Sequence, residues 1–118
     1  VDPLSSGELE VADRLERLAD RLRSLSDVRL ARDLPPHGSR ADAAHAFAQR
    51  LADAAARLQG EPARLVPRLH DLAVADQVAV TGHDFVAAVQ AVDPAQRPVA
   101  QLLVSQMSLA CRELAAAL

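Results

Sequence analysis

The sequence predicts an all-α protein: a single helical domain over residues 1–118, built as a bundle of about four main helices, antiparallel and kinked at prolines. Three observations predict it. Half of the residues are apolar, and that half is nearly all Ala, Leu and Val, with Phe47 and Phe85 as the only aromatics. Ala and Leu are strong helix formers, whereas sheets draw on aromatic and β-branched residues. Apolar positions recur at spacings of three and four, the mark of one helix face. Ser, Thr or Asp heads these stretches and Gly or Pro lies between them, as caps and breaks require. A chain of 118 residues buries roughly two-thirds of its unfolded surface, enough for a core without disulfide or metal staples.

The first helix opens at Ser5-Ser6-Gly7-Glu8. Ser5 fits an N-cap, Glu8 completes a capping box, and Leu4 and Leu9 are placed to close a hydrophobic staple. Val11, Leu15, Leu18, Leu22 and Leu25 follow at alternating spacings of four and three, an a/d seam about two heptads long. Glu10 with Arg14 and Asp13 with Arg17 are i,i+4 pairs in the favourable order, each worth about 0.2–0.5 kcal/mol and suited to a solvated face. From about Ser26 to Gly38 the chain reads as a connection, because two successive prolines, Pro35 and Pro36, exclude helix. At most a short turn fits around Val28–Leu34.

Ser39 caps the second helix, with Asp42 three residues on. Ala44, Phe47, Leu51, Ala54 and Leu58 form its seam and Gly60 its stop. Alanine dominates this stretch, so another helix can approach closely, and Phe47 is the single bulky anchor. The third segment starts at Glu61-Pro62, with Pro62 suited to a first helical position. Pro67 then either kinks that helix or starts it. "QVAVTGHDFVAAV" over residues 77–89 admits two readings. One is a pair of helices punctuated at Thr81-Gly82, with Thr81 and Asp84 as a capping pair. The other is a Val-rich β-hairpin around the glycine. The spacing of Phe85, Val89 and Val92 favours the helices.

Asp93-Pro94 is an N-cap and N1 pair opening the last helix. One stripe of that helix holds Val99, Leu103, Met107, Ala110 and Leu114; the adjoining one holds Leu102, Gln106, Leu109 and Glu113. Two neighbouring stripes are more than one core contact requires. Gln106 is then either a solvent-facing residue or a polar contact within an interface.

Composition narrows the function. All thirteen cations are Arg, with no Lys and no Asn, the bias of a very GC-rich genome and not a selection for phosphate. A net charge of −3 and the absence of Tyr and Trp argue against nucleic acid, which demands phosphate neutralisation and stacking platforms. A lone Cys111 excludes an internal disulfide and a cysteine zinc site and is expected to be a small buried hydrophobe. No run approaches the roughly 20 apolar residues of a membrane span, and no signal-peptide pattern is evident; the compartment stays open between the cytoplasm and specialised export.

The four histidines are His37, His45, His70 and His83. His70-Asp71 and His83-Asp84 suggest metal ligation, yet no Glu-x-x-His spacing of a di-metal bundle is present. Ser105, Ser108 and Cys111 lack a nucleophile elbow, and the four glycines are isolated. No catalytic, cofactor or metal residue is therefore assigned. A small-ligand or metal-binding bundle using His70, His83 and nearby Asp is the alternative reading, and a small enzyme of unknown substrate comes after it.

"DP" followed by "LLVSQMSL" and "REL" resembles the carboxy-terminal segment of type III secretion inner-rod proteins, on Asp93, Pro94, Leu102, Leu103, Gln106, Met107, Leu109, Glu113 and Leu114. "AHAFAQRL" around Phe47 is similar to a Phe-containing segment upstream in that family. The likeness covers about a quarter of the chain and implies a helix that packs against copies of itself. A second likeness, of "LERLADRLRSL" and "AHAFAQRLADAAARL", is to small type VII secretion proteins built as helical hairpins, although their Trp-x-Gly turn and tyrosine export signal are missing. The expectation is a non-enzymatic interaction or assembly protein of a specialised secretion system. Its partner surfaces would be Val11, Leu15, Leu18 and Leu22 on the first helix, and Leu102, Leu103, Gln106, Met107 and Leu109 on the last, for a protein partner or self-association.

Overall fold

A computed structural model describes residues 5–118. Among these residues the protein is all-α, with helices α1 (Ser6–Arg23), α2 (Asp27–Leu30), α3 (Arg40–Gln59), α4 (Val74–Gln90) and α5 (Arg97–Ala117) and no strand. The caps of α1 and α3 are those the sequence specifies. The Ser5 hydroxyl accepts from the Glu8 amide at 3.2 Å while the Glu8 carboxylate accepts from the Ser5 amide at 2.9 Å. Ser39 and Asp42 repeat the box at the start of α3, both bonds at 3.0 Å. Gly60 ends α3 at φ 67°, in the left-handed region where a side chain costs energy. Leu4 of the expected staple lies outside the described residues, and Leu9 is exposed.

Ion pairs and hydrogen bonds fix the helix directions. Arg23 at the end of α1 pairs with Asp76 at the start of α4 at 3.1 Å, so α1 and α4 are antiparallel. Gln96, just before α5, donates to the Leu58 carbonyl near the end of α3 at 2.8 Å, so α3 and α5 are antiparallel too. Glu8 pairs with Arg97 at 3.0 Å, and Arg21 reaches the Leu118 carbonyl, which makes α1 and α5 parallel. Arg68 ties Asp42, at the start of α3, to Asp71, at the threshold of α4, which makes α3 and α4 parallel. The four long helices close a ring in the order α1, α4, α3, α5. Two neighbouring pairs run antiparallel, as expected, and two run parallel.

The parallel α3–α4 pair demands a long return connection. Twenty residues of α3 span about 30 Å at 1.5 Å per residue. The ten residues 61–70 have no helix and, extended, reach about 33 Å. This strap corrects the helix expected from Pro62 or Pro67. Each proline removes a donor and forces its predecessor towards extended geometry. All the prolines among the described residues lie in connections or first turns, so the expected kinks are absent there.

A second correction concerns Thr81-Gly82, where neither a helix break nor a hairpin forms. Helix α4 runs through both residues. The Thr81 hydroxyl donates back to the Gln77 carbonyl at 2.7 Å, the bond a mid-helix threonine makes in place of a cap. Gly82 packs against Leu15, so its missing side chain serves the α1–α4 contact. The stretch Asp71–Gln90, with a mean hydropathy of 1.2, is long and apolar enough to cross a membrane. Here it is a core helix: Val74, Val78, Phe85 and Val89 face the bundle and Asp76, His83 and Asp84 face outward.

Candidate functional site

The outer face of α5 is built by the chain's longest uncharged stretch: residues 98–111 carry no charged side chain. A helix of that composition divides its residues by packing alone. Ala100, Leu103, Val104, Met107, Ala110, Cys111 and Leu114 enter the core. Leu102 and Leu109 stay 54% and 50% exposed, with Gln101, Ser105 and Gln106 exposed around them. The two leucines are seven residues apart, two helical turns, and so share one side. Every other long helix turns charge outward. On α1 the exposed set includes Glu10, Asp13, Glu16, Arg17, Asp20 and Arg21.

The residues singled out from sequence therefore separate into two groups. Val11, Leu15, Leu18 and Leu22 are at most 4% exposed inside the bundle, where they form the α1 side of the core. Leu103 and Met107 join them. Leu102, Gln106 and Leu109 stand outside. An a/d seam reports that a helix face is buried but not by which chain, and here helices of the same chain bury it.

Three other places hold polar or reactive groups. A cleft of about 390 Å³ between α1 and α4 has a floor of Ala12, Leu15, Ala19, Ala79 and Gly82 and a rim that includes Glu16, Asp20 and His83. Small side chains at the crossing open this trench. Under the strap, a set of side chains takes the place of a sheet neighbour. The Gln49 amide donates to the Arg64 carbonyl at 2.8 Å and accepts from the Val66 amide at 2.7 Å. His45 Nε2 donates to the Val66 carbonyl, and Gln77 to the Pro67 carbonyl, both at 2.8 Å. The Ser39 amide and then Arg68 hold the Asp42 carboxyl below its usual range. Sequence reasoning missed this set, since nothing local to Gln49 or Gln77 marks the distant backbone groups they bond. The third place is Cys111, buried on α5, whose thiol donates weakly to the Arg14 carbonyl at 3.5 Å. Burial pushes its pKa up to about 11, against a smaller opposing pull from Arg14, the reverse of what a reactive thiolate needs.

The histidines are dispersed. His37, His70 and His83 are exposed, and His45 is half-buried under the strap. His70 and His83 are separated by thirteen residues of mostly helical chain, about 19 Å at helical rise. Among the described residues no three His, Cys, Asp or Glu side chains come together as a metal would require. No protein-family model, no curated protein and no solved structure matches the chain.

Proposed function

We propose that this chain is a non-enzymatic protein-interaction module that presents the outer face of α5 to a protein partner. One observation carries the reading: residues 98–111 are uncharged and hold Leu102 and Leu109 half-exposed on one side. Depletion of charge around a few apolar anchors distinguishes the centre of a protein interface from ordinary surface. Isolated exposed leucines need no explanation; two of them at heptad spacing on a helix face without charge do. The outward placement of Leu102, Gln106 and Leu109 also supports the assembly role implied by the likeness to inner-rod proteins.

Photo-crosslinking in cells of the native source tests the reading. A photoreactive residue at Ser105 is expected to give adducts that the same residue at Asp13 of α1 or Asp84 of α4 does not. Equal or absent yields at all three positions would remove it. A second reading, a small apolar ligand in the α1–α4 cleft, is favoured by the alanine and glycine floor. An apolar fluorescent probe that binds the protein and is displaced by Gly82→Val would support that reading in preference.

A further inference from the structure

From the arrangement of α5 we infer that the partner of this face is a second copy of the chain, docked antiparallel about a two-fold axis through the Ser105–Gln106 midpoint; this rests on the outer face of α5 being an interaction surface. A two-fold contact demands a surface complementary to itself. Leu102 and Leu109 are placed symmetrically about that midpoint. An antiparallel crossing sets Leu102 of each copy against Leu109 of the other, burying four leucines. Ser105 of one copy then meets Gln106 of the other, a hydroxyl opposite an amide, and both can bond.

Charge selects the same centre independently. The uncharged stretch 98–111 is flanked by Arg97 on one side and by Arg112 and Glu113 on the other. Its middle falls within one residue of the leucine midpoint. An antiparallel contact there desolvates no charge. It also holds the two Arg112 side chains about 20 Å apart along the helices, beyond the screening length of roughly 8 Å at physiological salt. Parallel pairing in the same register would set Arg112 against Arg112 and Glu113 against Glu113, and would align the two helix dipoles unfavourably.

Size sets the strength. A helix face of four turns supplies about half of the roughly 800 Å² per partner that a stable interface buries. The dimer is consequently a transient one, with a dissociation constant on the order of 0.1–1 mM. Glu113 of each copy comes within one residue of Arg97 of the other, but that contact lies at the solvent-exposed ends of the interface. An ion pair contributes little there, so raising the salt concentration leaves the dimer nearly unchanged.

Sedimentation equilibrium of the full chain from 10 µM to 1 mM is the test. The weight-average mass is expected to climb from 12.6 kDa towards twice that value, almost equally at low and high salt. Leu102→Glu with Leu109→Glu is expected to weaken association at least tenfold without lowering the melting temperature, since both residues are half-exposed, whereas Val80→Glu on α4 changes nothing. Orientation is read from spin labels at Glu113→Cys in a Cys111→Ala background. Antiparallel pairing puts the two labels more than 20 Å apart, and parallel pairing about half that. A protein that is monomeric at 1 mM, association that survives the double glutamate variant, or a short label distance would each overturn the inference. If the protein is monomeric while Ser105 crosslinks to a different protein, self-pairing fails and the interaction reading stands. If neither association nor crosslinking occurs, both fail.

Discussion

Gly82 sits where α1 and α4 cross, and a Cβ there would lie 3.3 Å from Leu15 Cδ1 and 3.5 Å from Leu15 Cβ. A single methyl group is tight but tolerable, because the gain in helix propensity over Gly, about 1 kcal/mol, offsets the displacement of a leucine tip. A branched side chain has no such room. Gly82→Val is expected to cost about 1–3 kcal/mol through overpacking, read as a lower urea midpoint, while Gly82→Ala stays near wild type. Cys111 gives a second prediction at this scale. Its thiol is protonated in the folded protein up to about pH 11, whereas the ordinary value is 9.0. Between those values the folded state binds more protons than the unfolded state. The stabilisation is therefore complete below pH 9 and is lost as pH rises towards 11. The chain holds no Lys and no Tyr, the other residue types whose reference values fall in or near that window. The urea midpoint is expected to fall from pH 9 to 11 and to stay level in Cys111→Ala; a parallel fall in that variant would assign the loss elsewhere.

The strap is the element held least by apolar burial. Of residues 61–70 only Val66 is half-buried, and Leu65 is 86% exposed. Its backbone is held by His45, Gln49 and Gln77, so it opens without the bundle unfolding. Gln49→Ala removes two of these bonds, at a local cost of about 1–2 kcal/mol. Tryptic cleavage after Arg64 or Arg68 is expected to quicken about tenfold, with the far-UV spectrum unchanged; an unaltered cleavage rate would show the clamp to be incidental. This element was also the least legible from sequence. Helices announce themselves by caps and spacing, and the boxes at Ser5 and Ser39 could be read directly. A glutamine that imitates a neighbouring strand has no spacing to betray it. Pro62 and Pro67 are compatible with a helix start and with extended chain alike, and only the parallel course of α3 and α4 decides between them. Thr81-Gly82 misleads in the opposite sense, since cap residues inside a continuous helix look like a break.

At the scale of the molecule, helix content was readable and the order around the ring was not. Val11, Leu15, Leu18 and Leu22 predict a buried face, but nothing local says that α4 and α5 cover it. For α5, the core takes Leu103, Met107, Ala110 and Leu114 from one stripe and leaves Leu102, Gln106, Leu109 and Glu113 of the other exposed. That this stripe, and not the adjoining one, faces outward is decided by the angle at which α5 packs. That angle is fixed at one end by Glu8 and Arg97, which join the amino-terminal ends of α1 and α5 and close the ring. The Glu8 side chain is 4% exposed and that of Arg97 39%, so the two partners are not equivalent. Removing Arg97 strands a buried carboxylate with only its capping bond. Removing the carboxylate's charge leaves an arginine that water can reach. Arg97→Ala is expected to cost about 1–3 kcal/mol, below the 3–5 typical of a fully buried pair because solvent screens this one. Glu8→Gln keeps a side chain suited to the capping box and is expected to cost less, about 1 kcal/mol. Combined, the two changes should cost less than their sum, because a neutral residue 8 no longer needs a cation. Urea unfolding of the three variants at pH 7 measures this. Equal single effects that simply add would mean that the capping box, and not the Arg97 pair, holds Glu8, and that the α1–α5 closure rests on apolar packing alone.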